Sequence, residues 1–150
     1  MNKTLSTTLK AEFPISAELL WEVLTQSTYT KAYMFNCSVE STWIKGTPIT
    51  WQGEYQGYKA FQKGEIIAIT PNAKIKYSTF DPNFGLADEA KNYIHVTYLI
   101  KEHKDGDCLT CSTLAIINDT FDGSEERMQH VMQGWEMVIE QMKKVIKDIR

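Results

Sequence analysis

Residues 128–149 have the sequence MQHVMQGWEMVIEQMKKVIKDI, in which apolar side chains recur every three or four positions. This spacing puts them on one face of a helix and leaves Gln, Glu and Lys side chains on the other. The apolar face continues for about six turns and consists of Met128, Val131, Met132, Trp135, Val138, Ile139, Met142, Val145, Ile146 and Ile149. The segment predicts one long amphipathic helix, whose apolar face must be covered by another element.

The start of this helix is indicated by Asp122 and Glu125. Their three-residue spacing resembles a capping box with Asp in the capping position. We therefore predict that the helix begins near residue 123.

The N-terminal part of the chain predicts a strand followed by two short helices. Residues 2–13 alternate strictly, with Leu5, Leu9 and Phe13 on one face, which is typical of a half-buried strand. Ser16 is placed to cap a helix after Pro14. Leu20, Val23 and Leu24 then recur at helical spacing, and Ser27 is predicted to cap a second short helix through Tyr33.

The middle of the chain reads as an antiparallel meander rich in Val, Ile, Thr, Tyr and Trp. The predicted strands are residues 37–43, 47–55, 60–70, 74–80, 93–103 and 108–118. Asp105 and Gly106 supply the positive φ angles of a tight hairpin at residues 104–107. The sequence predicts a single α+β domain over residues 1–150, in which a curved antiparallel sheet of about seven strands wraps the terminal helix.

Composition limits the possible functions. The chain is 43% hydrophobic and 23% charged, which favours a compact globule over a disordered chain. Its net charge of -3 gives no overall positive field for a nucleic acid. We find no signal peptide and no membrane span, and we expect a cytoplasmic protein whose three cysteines are reduced.

Several local motifs resemble one family in their order along the chain. Residues 15–25, ISAELLWEVLT, resemble the opening helix of the activator-of-Hsp90-ATPase homologue (AHSA1-like) family, which belongs to the START-like, Bet v 1-like (SRPBCC) superfamily. Residues 46–51, residues 64–66 with Pro71, and Gly134-Trp135 with Lys143 resemble its later landmarks. The resemblance implies a helix-grip fold with a cavity for apolar small molecules, and it implies no fixed set of catalytic residues.

The familiar catalytic and cofactor signatures are absent from the sequence. We therefore predict no catalytic residues, no cofactor and no metal. Cys108 and Cys111 form a Cys-x-x-Cys pattern, but it lies in a predicted strand, where residues three apart point to opposite faces. We interpret these cysteines as structural.

The candidate site is apolar and aromatic. The inward registers of the predicted strands contain four aromatic side chains that would face three side chains of the helix across a hollow. This predicted ligand-binding set is Trp51, Tyr55, Tyr77, Tyr98, Met128, Met132 and Trp135. Alternatively, the same side chains fill a solid core. Residues 81–92 show no periodicity and are either a cover over an opening or an ordinary loop.

Three functions remain open at this stage. The first is a non-catalytic carrier or sensor of a hydrophobic or aromatic small molecule. The second, implied by the resemblance, is a module that binds a protein partner or forms a homodimer. The third is an enzyme of the cyclase or hydrolase kind, in which Tyr77 or Tyr98 would handle protons together with an acid such as Asp81.

Overall fold

A curved sheet and a long helix dominate the structure. The computed structural model describes residues 4–105 and 108–149, without the side chains of Phe84, Asp105, Cys108 and Leu109. The strands are β1 (Leu5–Phe13), β2 (Ser38–Ser41), β3 (Pro48–Tyr55), β4 (Tyr58–Thr70), β5 (Lys74–Thr79), β6 (Ile94–Asp105) and β7 (Cys108–Thr120). The helices are α1 (Ala17–Thr25), α2 (Ser27–Tyr33) and α3 (Glu125–Ile149).

The strands of the described chain form one antiparallel sheet in the order β1-β7-β6-β5-β4-β3-β2. The first two strands of the chain therefore lie at opposite edges, and α1 and α2 connect them. The helix α3 lies against β1 and α2. This arrangement confirms the predicted α+β, helix-grip architecture with two short helices between the first two strands.

The first strand and helix follow the predicted registers. Along β1 the inward residues are partly or fully buried and the alternate residues are exposed, with Phe13 buried at the end. The Ser16 hydroxyl accepts a hydrogen bond from the Leu19 amide at 3.1 Å, as expected of a helix cap. The apolar face of α1 is buried through Leu20, Val23 and Leu24.

Two predicted helix starts are wrong in detail. The helix α2 begins at Ser27 itself, after Gln26, and the Ser27 hydroxyl donates to the carbonyl of Val39 at 2.8 Å instead of capping the helix. The helix α3 begins at Glu125, because the Ser124 hydroxyl accepts the Arg127 amide at 3.1 Å. Asp122, two residues earlier, accepts the Ser124 amide at 3.0 Å and so holds the capping residue in place.

The helix α3 is buried unevenly along its length. In its second half Ile139, Met142 and Ile146 are all buried against the sheet and the neighbouring helix. In its first half Met128 is buried, but Val131, Met132 and Trp135 are only partly buried. The second half therefore packs as a solid core, whereas the first half is covered incompletely.

The hairpin predicted at residues 104–107 joins β6 to β7. Its strands pair up to Asp105 opposite Cys108, and Gly106 and Asp107 lie outside the described residues. Residues 81–92 contain two short turns of 3₁₀ helix, Pro82–Phe84 and Ala90–Asn92, and are otherwise irregular.

The cysteines differ from the sequence-based expectation. Cys37 is a free, buried thiol, but Cys111 forms a disulfide. The prediction of reduced thiols is therefore wrong for Cys111. An odd number of cysteines leaves one thiol over, but it does not prevent the others from forming a bond. The Cys108 side chain lies outside the described part of the structure.

We predict that the second half of α3 contributes most of the packing energy of the helix. Met142 is fully buried and Met137 is 56% exposed on the same helix. Met142→Ala should therefore lower the free energy of unfolding by about 2–5 kcal/mol. Met137→Ala, the matched control, should change it by less than about 0.5 kcal/mol. Urea denaturation measures both values, and equal losses in the two variants would contradict the described helix register.

Candidate functional site

An open cavity lies between the sheet and the first half of α3. Its volume is about 810 Å³, which is within the range of small-molecule sites. One wall is the inner face of β3 to β7, and the opposite wall is the incompletely covered face of α3. The α3 side chains that line it include Arg127, His130, Val131, Trp135 and Val138.

The aromatic side chains of the cavity form a connected row from β3 to α3. Trp51 and Tyr77 have ring centroids 6.2 Å apart, Tyr77 and Tyr98 are 5.6 Å apart, and Tyr98 and Trp135 are 5.8 Å apart. The last two contacts are edge-to-face, a favourable arrangement for aromatic pairs. This row holds the helix and the sheet at a fixed separation beside the hollow.

The structure places four of the seven predicted site residues on the cavity wall. They are Trp51, Tyr55, Tyr77 and Trp135. Trp51 and Tyr77 are buried, whereas Tyr55 is 47% exposed at the mouth of the cavity. The alternation along β3 predicted that the Tyr55 side chain lies on the inner face of the sheet. It did not predict that β3 ends at Tyr55, so that this side chain lies at the mouth of the cavity and is half exposed.

The other three predicted residues lie outside the described lining of the cavity. Tyr98 is buried behind Tyr77 in the aromatic row. Met128 is buried, and Met132 receives a hydrogen bond from the Thr7 hydroxyl, with 3.3 Å between Oγ1 and Sδ. The apolar face of α3 is wide enough that one side of it faces β1 and the other side faces the cavity.

The two buried tyrosines share one hydrogen bond, with 3.0 Å between their hydroxyl oxygens. The distance fits either oxygen as the donor, and we assign donation to Tyr98 because it lies outside the described cavity lining. The proton of Tyr77 is then free to point at the cavity. Burial raises the pKa of both phenols above the ordinary value, so Tyr77 presents a neutral hydroxyl donor to the hollow.

Exposed apolar side chains surround the mouth of the cavity. These rim residues are Phe35, Tyr55, Tyr58 and Leu86, with exposures between 37% and 53%. Phe35 and Tyr55 contact edge to face with ring centroids 6.0 Å apart. Large exposed apolar groups gathered at one opening are typical of a surface that binds a ligand or a partner.

Two tight backbone segments hold the rim residues in place. Gln56 and Gly57 both have positive φ angles and join β3 to β4 in a two-residue turn, which sets Tyr55 beside Tyr58. The segment before β2 crosses β3 at Gly53, where a Cβ would overlap the carbonyl oxygen of Asn36. The rim geometry therefore depends on glycine at two positions of this hairpin.

Arg127 is the best-anchored charge in the cavity wall. Its guanidinium donates to Asp122 at 2.9 Å and to the carbonyl of Asn92 at 2.7 Å. Burial raises the pKa of the Asp122 carboxyl, but hydrogen bonds from the Ser124 amide and from Arg127 outweigh it and leave that pKa below its usual value. The pair therefore ties the first turn of α3 to residues 81–92.

Several wall residues were missed by the sequence analysis. His130 was interpreted as part of the polar face of α3, yet it lines the cavity. Asn118 continues the inward register of Leu114 and Ile116 on β7, and this alternation could have revealed it. Gly134 could have been found as an isolated glycine in a helical pattern. Leu86 and Phe35 lie in irregular segments, where no periodicity predicts an orientation.

A search for metal-binding clusters finds none among the described residues. Within the same residues, no helix is long and apolar enough to cross a membrane.

The sequence also matches a known family over nearly its full length. The sequence model of the family described as "Activator of Hsp90 ATPase homolog 1-like protein" matches residues 14–147. The chain belongs to this AHSA1-like family. A search of the curated proteins finds no match to the sequence.

Solved structures of similar proteins share the AHSA1-like architecture. The solution structure of ChR145 from Cytophaga hutchinsonii has a TM-score of 0.78 and 28% identity, and the alignment covers 99% of this chain and 97% of that one. Ms6760 from Mycobacterium smegmatis gives a TM-score of 0.75 at 19% identity, with 97% and 93% covered. The Aha1 dimer from Colwellia psychrerythraea gives 0.70 at 10% identity, with 95% and 96% covered. The last two likenesses show the fold alone.

We predict an asymmetric response when either hydroxyl of the tyrosine pair is removed. Tyr77→Phe leaves the Tyr98 hydroxyl buried without an acceptor, which should cost about 1–3 kcal/mol of unfolding free energy. Tyr98→Phe leaves the Tyr77 hydroxyl beside the cavity, where solvent can satisfy it, and should cost only about 0.5–1.5 kcal/mol.

Urea denaturation of the two single variants and of the double variant measures this difference. The double variant should be at least as stable as Tyr77→Phe alone, because it removes the orphaned hydroxyl. A larger loss for Tyr98→Phe than for Tyr77→Phe would contradict the assignment of Tyr98 as the donor.

Proposed function

We propose that this protein binds a hydrophobic or aromatic small molecule in the cavity between the sheet and α3, as a non-catalytic carrier or sensor. The observation that carries the proposal is the open cavity of about 810 Å³ with aromatic walls. Burial of a flat apolar molecule there would be favourable by about 25 cal/mol for each Å² of apolar surface removed from water.

The internal hydrogen bonds of the wall support binding rather than catalysis. The Thr79 hydroxyl donates to Gln62 at 2.8 Å, so both side chains already have a partner. Tyr77 offers a hydroxyl donor but keeps its proton, because burial raises its pKa. Asp81 accepts the Asn83 amide at 2.8 Å in its own turn. These groups can orient a ligand, but they give little support to the cyclase or hydrolase alternative.

The rim supports entry of a ligand from solvent. Phe35, Tyr55, Tyr58 and Leu86 would contact an apolar molecule before it reaches the buried aromatic row. Leu86 belongs to residues 81–92, which supports the interpretation of this segment as a cover over the opening. The second half of this segment is fixed at two points, by Arg127, which donates to the Asn92 carbonyl, and by Asp88, which pairs with Lys63 of β4 at 2.5 Å.

A protein-interaction function is the second candidate. The AHSA1-like family membership supports it, and the exposed rim is the surface that would contact a partner. The related Colwellia protein is described as a dimer, so a homodimer of this chain is one form of this candidate. A partner would cover the rim, whereas a small molecule would occupy the cavity beneath it.

Gly134 provides a direct test of the carrier proposal. Gly134 lines the cavity. Apart from the adjacent backbone of α3, no atom lies within 4 Å of the position that a Cβ would take there. An indole introduced by Gly134→Trp should therefore enter the hollow without overpacking the core. Gly134→Ala is the matched control and should stabilise the helix by about 1 kcal/mol, the difference in helix propensity between the two residues.

We expect the uncharged fluorescent dye Nile red to bind the parent protein at one molecule per chain, with a dissociation constant on the order of micromolar. Gly134→Ala should keep this affinity, and Gly134→Trp should weaken it by about tenfold or more, because the indole takes up ligand space. Fluorescence titration and urea denaturation of the three proteins provide the measurements. Equal binding by Gly134→Trp and the parent would place the dye outside the cavity and favour the rim as a protein-binding surface.

A further inference from the structure

Asn118 is a buried polar side chain in the cavity wall whose amide has no partner among the residues that the structure describes. Its exposed fraction is 0%, and it belongs to the lining of the cavity. Neither Nδ2 nor Oδ1 has a hydrogen-bond partner among the described residues. Because both atoms are unpaired, this statement holds for either orientation of the amide. Leaving such a group unsatisfied costs free energy, so it marks a position where a ligand can supply the missing hydrogen bonds.

The amide lies in a defined row of the sheet. Asn118 pairs with Val96 on β6, and Val96 pairs with Tyr77 on β5. All three residues line the cavity. With neighbouring strands about 4.8 Å apart, the Cα atoms of Asn118 and Tyr77 are separated by roughly 10 Å. A flat bicyclic molecule lying across this row would contact Val96, and rotation of the buried Asn118 side chain toward the cavity would bring its amide to one edge of the molecule.

A second unpaired group lies on the same face of β7. The Thr120 hydroxyl is buried and has no partner among the described residues. Thr120 follows Asn118 by two positions, so both side chains point to the interior. The inward face of β7 therefore changes from apolar, at Leu114 and Ile116, to polar as the strand approaches the start of α3.

We propose that Asn118 binds the cis-amide edge of a planar lactam or imide. The ligand N–H would donate to Oδ1, and the adjacent ligand carbonyl would accept from Nδ2, so that both atoms of the side-chain amide are satisfied by one flat group. This inference rests on the proposed small-molecule function and names the class of ligand.

Other ligand groups match the site less well. A lone carbonyl would satisfy Nδ2 and leave Oδ1 unpaired. A carboxylate has no donor for Oδ1 and would need a free cation, but Arg127 at this end of the cavity is already paired with Asp122. A neutral group with a donor beside an acceptor has neither disadvantage.

Carbostyril and N-methylcarbostyril are a matched pair of probes for this inference. Both are flat, uncharged and bicyclic, but only carbostyril has the lactam N–H. We expect the parent protein to bind carbostyril about tenfold more tightly than its N-methyl derivative, since the derivative leaves Oδ1 unpaired and a lost hydrogen bond of 1.4 kcal/mol corresponds to tenfold. Isothermal titration calorimetry measures both affinities.

Two variants separate hydrogen bonding from the size of the added methyl group. Asn118→Leu has a similar volume and no polar atoms, so it should bind the two probes with equal affinity and should not lower the unfolding midpoint. Thr113→Val is the control, because it removes a polar group of β7 that lies outside the described cavity lining and is paired with His103. This control should keep the preference for carbostyril.

The outcomes distinguish this inference from the proposal on which it rests. Equal affinities of the parent protein for the two probes would overturn the lactam inference and leave small-molecule binding intact; buried water would then be the partner of Asn118. A preference that survives in Asn118→Leu would overturn it as well. Failure of Nile red and both carbostyrils to bind would overturn both proposals. The measurement on the parent protein decides the matter even if Asn118→Leu does not fold.

Discussion

The packing of the second half of α3 is the contact on which the rest of the structure depends. Ile139, Met142 and Ile146 are buried there, beyond Val138, which borders the cavity, and complete burial of an aliphatic side chain of this kind stabilises by about 1.5–3 kcal/mol. A rigid helix anchored along one half must project its other half in a fixed direction. The first half of α3 therefore stands over the sheet without enough side-chain volume beneath it to fill the space.

The hollow persists because its walls are stiff. The aromatic row from Trp51 to Trp135 bridges sheet and helix through large rings that cannot collapse into a smaller volume. The Arg127 guanidinium ties the start of α3 to Asp122 and to Asn92. Gly134, between these two supports, contributes no side chain to the space. Anchoring at both ends and missing volume in the middle together explain why an amphipathic helix borders a cavity.

The local sequence pattern predicted the elements of the fold well because each has a strong period. The alternation over β1 and the helical spacing of α3 both result from burial of one face, because polar side chains are tolerated mainly at the exposed positions. The starts of α2 and α3 were predicted less well, because the Ser27 hydroxyl bonds to the Val39 carbonyl instead of capping α2, and because Ser124, not Asp122, accepts the Arg127 amide at the start of α3. The disulfide of Cys111 has no signal in the periodicity.

The candidate site could be predicted only in part. Trp51 and Tyr77, taken from the inward registers, line the cavity, but Met132 lies on the side of α3 that faces β1. The helical spacing predicts which side chains lie on the apolar face of α3. It does not predict which of them pack against β1 and which of them line the cavity. Rim residues such as Phe35 depend on left-handed backbone conformations and close strand crossings, which are tertiary features. The cytoplasmic location and the single-domain organisation stay predictions of the sequence.

Methyl NMR during titration with Nile red tests the uneven coverage of α3. With Ile and Val methyl groups labelled, we expect chemical-shift changes at Ile94, Val96, Val131 and Val138, which line the cavity, and none at Ile75 and Ile146, which lie in the solid core. Shift changes confined to surface methyl groups such as that of Ile44, with none at Val96 or Val131, would contradict it.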